Sequence, residues 1–176
     1  LSPFSLRNKI ISLIENEIKN AKSGRKAYIY LKLNNLTDAK IIEYLYKASK
    51  SGVIIRLIIR GMLSLIPGIK NVSENIKAIS IVDRFLEHSR FMIFCQGDDE
   101  KVFITSADLM PTNLDYRIEV TCPIFDKNIK KVIKNIFEIQ WKDNVKARTY
   151  DEKQSNQILT DGMQPSRSQI EVYNYL

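Results

Sequence analysis

The run Val53-Ile-Ile-Arg-Leu-Ile-Ile59, set between Gly52 and Arg60-Gly61, constrains the fold more than any other stretch. All its residues but Arg56 are apolar, so it has no face to give to water and predicts a strand covered on both sides, as in a parallel sheet. Parallel strands need a crossover, and the preceding residues supply one. In 26–33, Ile29, Leu31 and Leu33 alternate with Tyr28, Tyr30 and Lys32 as in a strand, which Asn34-Asn35 ends. Thr37 or Asp38 then caps a helix carrying Ile41, Ile42, Leu45 and Ala48, closed by Gly52. Strand, helix and strand in this order imply a right-handed crossover. Arg60 therefore stands at the carboxyl end of a central strand, where open α/β sheets bind ligands, and Gly61 leaves room for a close approach. The competing reading of Arg60 is an ion pair with a surface carboxylate. Arg56 reads as structural.

The flanks fit a mixed, largely parallel sheet covered by helices. Ser2-Pro3 opens a helix with Leu6, Ile10, Leu13, Ile14, Glu17 and Ile18 near helical period, stopped by Gly24. A loop over 62–75, with a helical turn near 72–75, leads to strands at 78–82, 91–96 and 102–107, the last two joined by the turn at 97–100. Arg117-Ile-Glu-Val120 reads as a further strand, with Arg117 and Glu119 together on one face in a cross-strand network. Residues 126–141 form a helix capped by Asp126, with Lys127, Lys130, Lys131 and Lys134 on its solvated side, where they could also guide a polyanion. A mobile loop is expected over 155–165. A terminal helix follows over 166–176, whose Ile170, Val172, Tyr173 and Leu176 would pack on a neighbour or another domain.

The only histidine, His88, lies two residues before Arg90 at the head of an apolar run, so in a strand the imidazole and guanidinium share a face. The same alternation brings Ser106 and Asp108 to one face before Pro111 breaks the pattern. A lone histidine is more often structural than catalytic, and spacing by itself does not choose.

A net charge of +7 and a pI near 9.3 point to a polyanionic partner, whether phosphate chains, nucleic acid or an acidic membrane. Cys95 and Cys122 lack metal-ligand spacing and read as small apolar fillers in strands, which suits a reducing compartment. No run reaches the ~18 apolar residues of a membrane span and no signal peptide is visible. The expected location is the cytoplasm, with peripheral membrane attachment left open. The chain starts at Leu1, so it is expected to be a piece of something longer.

Several stretches in the same order resemble one family. They are Leu31-Lys-Leu-Asn-Asn-Leu36, Leu57-Ile-Ile-Arg-Gly-Met-Leu-Ser-Leu-Ile-Pro67, Asn75 through His88, Thr105-Ser-Ala-Asp108 and Asn113-Leu-Asp-Tyr-Arg-Ile-Glu-Val120. Together they resemble the last domain of the long, multidomain bacterial polyphosphate kinase, from about Ser5 to Arg148 and more loosely beyond. The resemblance implies a phospholipase D-like fold, with 1–150 as the C-terminal domain and 151–176 as its loop and helix. It also implies half of a site for reversible transfer of the ATP terminal phosphate to inorganic polyphosphate, the phosphate-accepting histidine lying on the preceding domain. His88 matches the family's second histidine, acting as general acid or hydrogen-bond donor. Arg60 matches its nucleotide-phosphate-binding arginine, and Arg117 joins them. Arg90, Lys32, Ser106, Asp108 and Asn113 are possible supports. ATP or ADP is then the substrate, and magnesium is held outside this chain. The partners are polyphosphate and the preceding domains in a homo-oligomer, rather than nucleic acid, and the isolated domain should be inactive. Two positions depart from the family: Leu109 stands where Trp is usual and Thr112 where Arg is usual. The rivals are a phospholipase D-superfamily phosphodiesterase or nuclease acting as a dimer, and a non-catalytic polyanion-binding module. Against the phosphodiesterase, His88-x-Arg90 lacks the lysine of the superfamily's His-x-Lys.

Overall fold

Three apolar strands pair in parallel at the centre of the sheet: β1 (Tyr28–Leu33), β2 (Ile54–Ile59) and β3 (Ile76–Ile81). The structure, a computed structural model, describes residues 1–160 and 162–176. Helix α2 (Ala39–Lys50) makes the crossover from β1 to β2, and Asp38 caps it by accepting from the Ile41 N–H at 3.0 Å. Beyond the centre the sheet is antiparallel. β4 (Phe91–Phe94) pairs with β1, β5 (Lys101–Thr105) with β4, β6 (Thr121–Ile124) with β5, and β7 (Ala147–Tyr150) with β3. The order is β6-β5-β4-β1-β2-β3-β7. A mixed sheet flanked by helices is as expected. Parallel pairing is narrower than foreseen, confined to β1, β2 and β3, because residues 91–124 run as hairpins, which need no crossover.

Alternation along the strands divides the core between two faces. On one, α1 (Leu6–Lys22) and α2 place Ile10, Ile14, Ile41 and Leu45 against Ile29, Leu31, Leu33, Leu57 and Ile59. On the other, α3 (Lys127–Trp141) sets Phe137 against Tyr30, Ile58, Phe91 and Ile93. Full burial of such a ring stabilises by roughly 2–3 kcal/mol. Tyr28, Tyr30, Phe137 and Trp141 form a stacked column with centroids 4.7, 5.0 and 6.0 Å apart. Arg56 lies over Tyr30 and Trp141 and pairs with Glu138 of α3 at 3.1 Å. The single charge in β2 is therefore structural, as its position suggested. Helix α4 (Ser168–Tyr175) packs on α3.

Several expectations change. Helix α1 begins at Leu6 with Ser5 as its cap residue, so Pro3 precedes the helix; the Ser2–Pro3 peptide is cis. Residues 117–120 do not form a regular strand; the strand is the next four residues, and Glu119 makes only an isolated bridge to Ser2. The loop expected over 155–165 includes Asp161, which lies outside the described residues. Part of the remainder is held to β7, with Leu159 N donating to Ala147 O at 2.8 Å and Thr149 N to Gln157 O at 2.9 Å. Both β7 and this pairing escaped the sequence pattern because the partners are polar and short. Cys95 is buried as expected, whereas Cys122 is exposed on edge strand β6. Lys134 is half-buried and reaches Glu100 and the Tyr28 hydroxyl. In α4, Ile170, Tyr173 and Leu176 stay exposed.

Candidate functional site

The carboxyl ends of β1, β2 and β3 share one rim of the sheet, and the antiparallel register brings the start of β4 and the end of β5 to the same rim. Asp108 organises this corner. Its Oδ1 accepts from the backbone N–H of Asn34 at 2.8 Å and of Asn35 at 3.2 Å, and from Arg90 Nε at 2.9 Å. Its Oδ2 accepts from Asn35 Nδ2 at 3.0 Å and Arg90 Nη2 at 3.4 Å. Burial alone would push this carboxyl up. The hydrogen bonds from Arg90, the Asn35 side chain and the two backbone amides outweigh burial and hold it below the usual carboxylate range. Asp108 is therefore an anchor with its oxygens committed, not a proton acceptor for a substrate.

Arg90 passes that order to the histidine. Its Nη2 is 3.5 Å from His88 Nε2, and its Nη1 donates to the His88 carbonyl at 3.4 Å. Arginine can only donate, so in this contact Nε2 is the accepting atom. Both residues precede β4 rather than lying in it, so loop geometry rather than strand alternation sets them side by side. His88 itself is exposed.

Arg60 follows the end of β2, where expected. Its Nε donates to Asn34 Oδ1 at 2.6 Å, and Asn34 is in turn held by Asp108. No described residue takes its two terminal nitrogens, and the side chain lines a shallow cleft with Val82, Asp83, Arg84 and Glu87. Arg60 is thus fixed at its root and free at its fork. Gly61 makes the arrangement possible: a Cβ there would meet Asn35 Oδ1 at 2.5 Å and the Asn34 carbonyl at 2.9 Å.

The supporting residues divide into two groups. Lys32, which alternation placed on a solvated strand face or against a polyanion, is 2% exposed, with Nζ 3.2 Å from Glu87 and 3.3 Å from the Ser89 carbonyl. Burial lowers its pKa, and Glu87 only partly opposes this. Strand alternation could not show this, because the loop bearing Glu87 folds over the sheet rim. Ser106 and Asp108 do not share a strand face, since β5 ends at Thr105 and the two side chains diverge. Ser106 donates to Glu119, which also accepts from Asn113 Nδ2 at 2.7 Å. Glu119 is buried among these partners rather than paired with Arg117. Arg117 is exposed just after a single π-helical turn (Thr112–Tyr116), four residues before β6 begins at the same rim. Its side chain makes no described contact with Arg60 or His88.

The family model described as polyphosphate kinase C-terminal domain 2 matches residues 1–169. This chain belongs to that family. Polyphosphate kinase from Vibrio cholerae serotype O1 is 51% identical over 177 residues, taking in 100% of this chain and 25% of the relative. That from Escherichia coli K12 is 45% identical, with 100% and 26% covered. The crystal structure of polyphosphate kinase from Porphyromonas gingivalis superposes with a TM-score of 0.93 at 43% identity, over 97% of this chain and 26% of that one. A phospholipase D family member from Salmonella typhimurium shares the fold at a TM-score of 0.58 and 16% identity, over 82% of this chain and 90% of that one. The polyphosphate kinase domain therefore has the phospholipase D-like fold that its sequence suggested. It spans about a quarter of the length of the polyphosphate kinases it matches.

Of the polyphosphate kinase domain's two departures, Leu109 is buried, and its carbonyl accepts from the Thr37 and Asp38 N–H groups at 2.9 Å each, steadying the turn into α2. Thr112 is exposed at the start of the π-helical turn. Sequence reading missed the importance of Asn34, Asn35 and Glu87. The asparagines were visible only as a strand end. Glu87 is 55 residues from Lys32, and no local pattern links them.

Proposed function

We propose that this domain supplies cationic groups for reversible transfer of the terminal phosphate of ATP to inorganic polyphosphate within a longer polyphosphate kinase. The observation that carries the reading is Arg60: a guanidinium rooted on Asn34, its two terminal N–H₂ groups unclaimed at a cleft that Glu87, the residue before His88, also lines. Phosphoryl transfer asks chiefly for such preorganised positive groups around the oxygens of the moving phosphate. A guanidinium fork binds two of those oxygens through parallel N–H bonds.

In this account the bond from the γ-phosphorus to the ADP oxygen breaks as one forms to a histidine nitrogen on the preceding domain. The phosphoryl group then passes to a terminal oxygen of the polyphosphate, leaving ADP and a chain one phosphate longer. Arg60 holds nucleotide phosphate oxygens, His88 donates a hydrogen bond or proton to the transferred group, and Arg117 reaches the chain from the exposed end of the π-helical turn. Arg90 and Asp108 orient His88, and Asn113 with Ser106 and Glu119 sets the loop that carries Arg117. Magnesium does not fit the carboxylates of this corner. Asp108 is saturated by Arg90 and amide donors, and Glu87 by Lys32, Gln140 and Gln169. The phosphodiesterase reading loses its second cation for the same reason, because Arg90 is committed to Asp108.

In the full-length protein, Arg60→Ala and His88→Ala should each lower polyphosphate synthesis by on the order of 10²-fold, the scale of removing a preorganised electrostatic partner. The isolated 176-residue chain should bind ATP in a calorimetric titration without extending polyphosphate. Wild-type turnover in both variants would leave only a polyanion-binding module.

A further inference from the structure

We infer that Gln169 and Arg167, at the start of the C-terminal helix, are positioning residues that hold the His88 loop in its working geometry. The inference rests on the role proposed for His88.

Residues 82–90 connect β3 to β4 without regular structure of their own, and Val82, Phe85 and Leu86 are 67%, 67% and 71% exposed. A segment so poorly buried gains little from packing, and fixing each backbone residue costs about 1–2 kcal/mol. Its order must come from specific bonds, and these come at alternate residues from one place. Arg167 Nε and Nη2 donate to the two oxygens of Asp83 at 2.8 and 2.6 Å. The Gln169 amide pairs with the Phe85 backbone in both directions, accepting from Phe85 N at 3.0 Å and donating to Phe85 O at 2.8 Å. The same Nε2 donates to Glu87 Oε1 at 2.8 Å.

Glu87, the residue before His88, is gripped from two more elements. Its Oε2 accepts from Gln140 of α3 at 2.9 Å and faces Lys32 of β1 at 3.2 Å. The brace is itself fixed to the body: Ser168, between the two residues that reach the loop, donates to buried Asp143 through its N–H at 2.8 Å and its hydroxyl at 2.6 Å. Hydrogen bonds thus join the tail helix to the loop as far as Glu87, and the peptide bond to His88 completes the link. A residue at the far end of the chain sets where the imidazole stands relative to Arg90 and Arg60.

The test is epistasis in the full-length protein. Gln169→Met, which keeps the side chain's bulk and removes its bonds, should lower kcat about 10-fold with KM for ATP nearly unchanged. It should also speed amide exchange in residues 82–90 without lowering the unfolding midpoint of the whole protein. In a His88→Ala background the same substitution should cost nothing further, because its effect passes through the histidine. A wild-type kcat for Gln169→Met beside an impaired His88→Ala would overturn the brace while sparing the reading of the site. So would a further 10-fold loss in the double variant. If His88→Ala runs at wild-type rate, the site reading itself fails, and the brace's catalytic role fails with it.

Discussion

Gly61 illustrates how narrow the tolerances are around a single residue. The Asn34 carbonyl accepts from Gly61 N at 2.8 Å, and Asn35 Oδ1 accepts from Met62 N at 2.8 Å, so the turn after β1 lies directly against the end of β2. A methyl group at Gly61 would drive these apart. Gly61→Ala should cost about 1–3 kcal/mol in urea unfolding, the range for overpacking, and weaken ATP binding by shifting the Asn34 root of Arg60. The carboxylates make a second prediction at this scale. Asp108 and Asp143 are both held below the usual range by hydrogen bonds that outweigh burial. In the pH interval between the depressed folded value and the normal unfolded one, the unfolded chain binds more protons. Stability therefore rises with pH there and is fully present above it. The contribution of these two groups to the urea midpoint should be fully present above about pH 4 and be lost below that. Asp108→Asn should remove part of this loss.

Among the elements, the tail depends most on one side chain. Asp143, fully buried after α3, accepts from the N–H groups of Val145, Lys146 and Ala147 on Oδ1 at 3.0, 2.7 and 3.0 Å, and from Ser168 on Oδ2. It starts β7 and fixes α4 with one group. Asp143→Ala orphans these donors and should destabilise by about 3 kcal/mol, with earlier proteolysis of residues 151–176 as the local signature. Arg7 is the counterpart at the other end. It joins α1 to the cap of α2 through Asp38 at 2.9 Å and to the π-helical turn through Asp115. Most elements were legible in advance because their signals are local: Asp38 and Asp126 cap where a cap was expected, and Gly24 and Gly52 follow their helices with positive φ. The strand foreseen at 117–120 failed for a physical reason. Its alternation is real, but Glu119 is drawn inward by Ser106 and Asn113, and pairing to β5 starts only at Thr121.

For the whole molecule, the charge of +7 is the property most open to a simple test. Exposed cations act through a field that salt screens over about 8 Å at physiological ionic strength. Polyphosphate binding by this chain should weaken at least about 10-fold between 50 and 500 mM salt, measured with a labelled chain, while the Asp108 corner stays folded. Affinity unmoved by salt would mean that the long-range field takes no part in capture. No helix among the described residues is long and apolar enough to cross a membrane.

The amino-acid order alone determined the buried central strand, its crossover, the helix caps, the basic balance and, through matched stretches, the family and its fold. It could do so because periodicity, capping and motif order are local properties, written within a few residues of one another. Only the tertiary structure decided that Lys32 is buried against Glu87, that Arg90 is committed to Asp108 while Arg60 keeps its fork free, and that a glutamine near the C-terminus holds the histidine loop. Those choices join residues from 18 to 84 positions apart, and only packing determines which donor meets which acceptor across such separations.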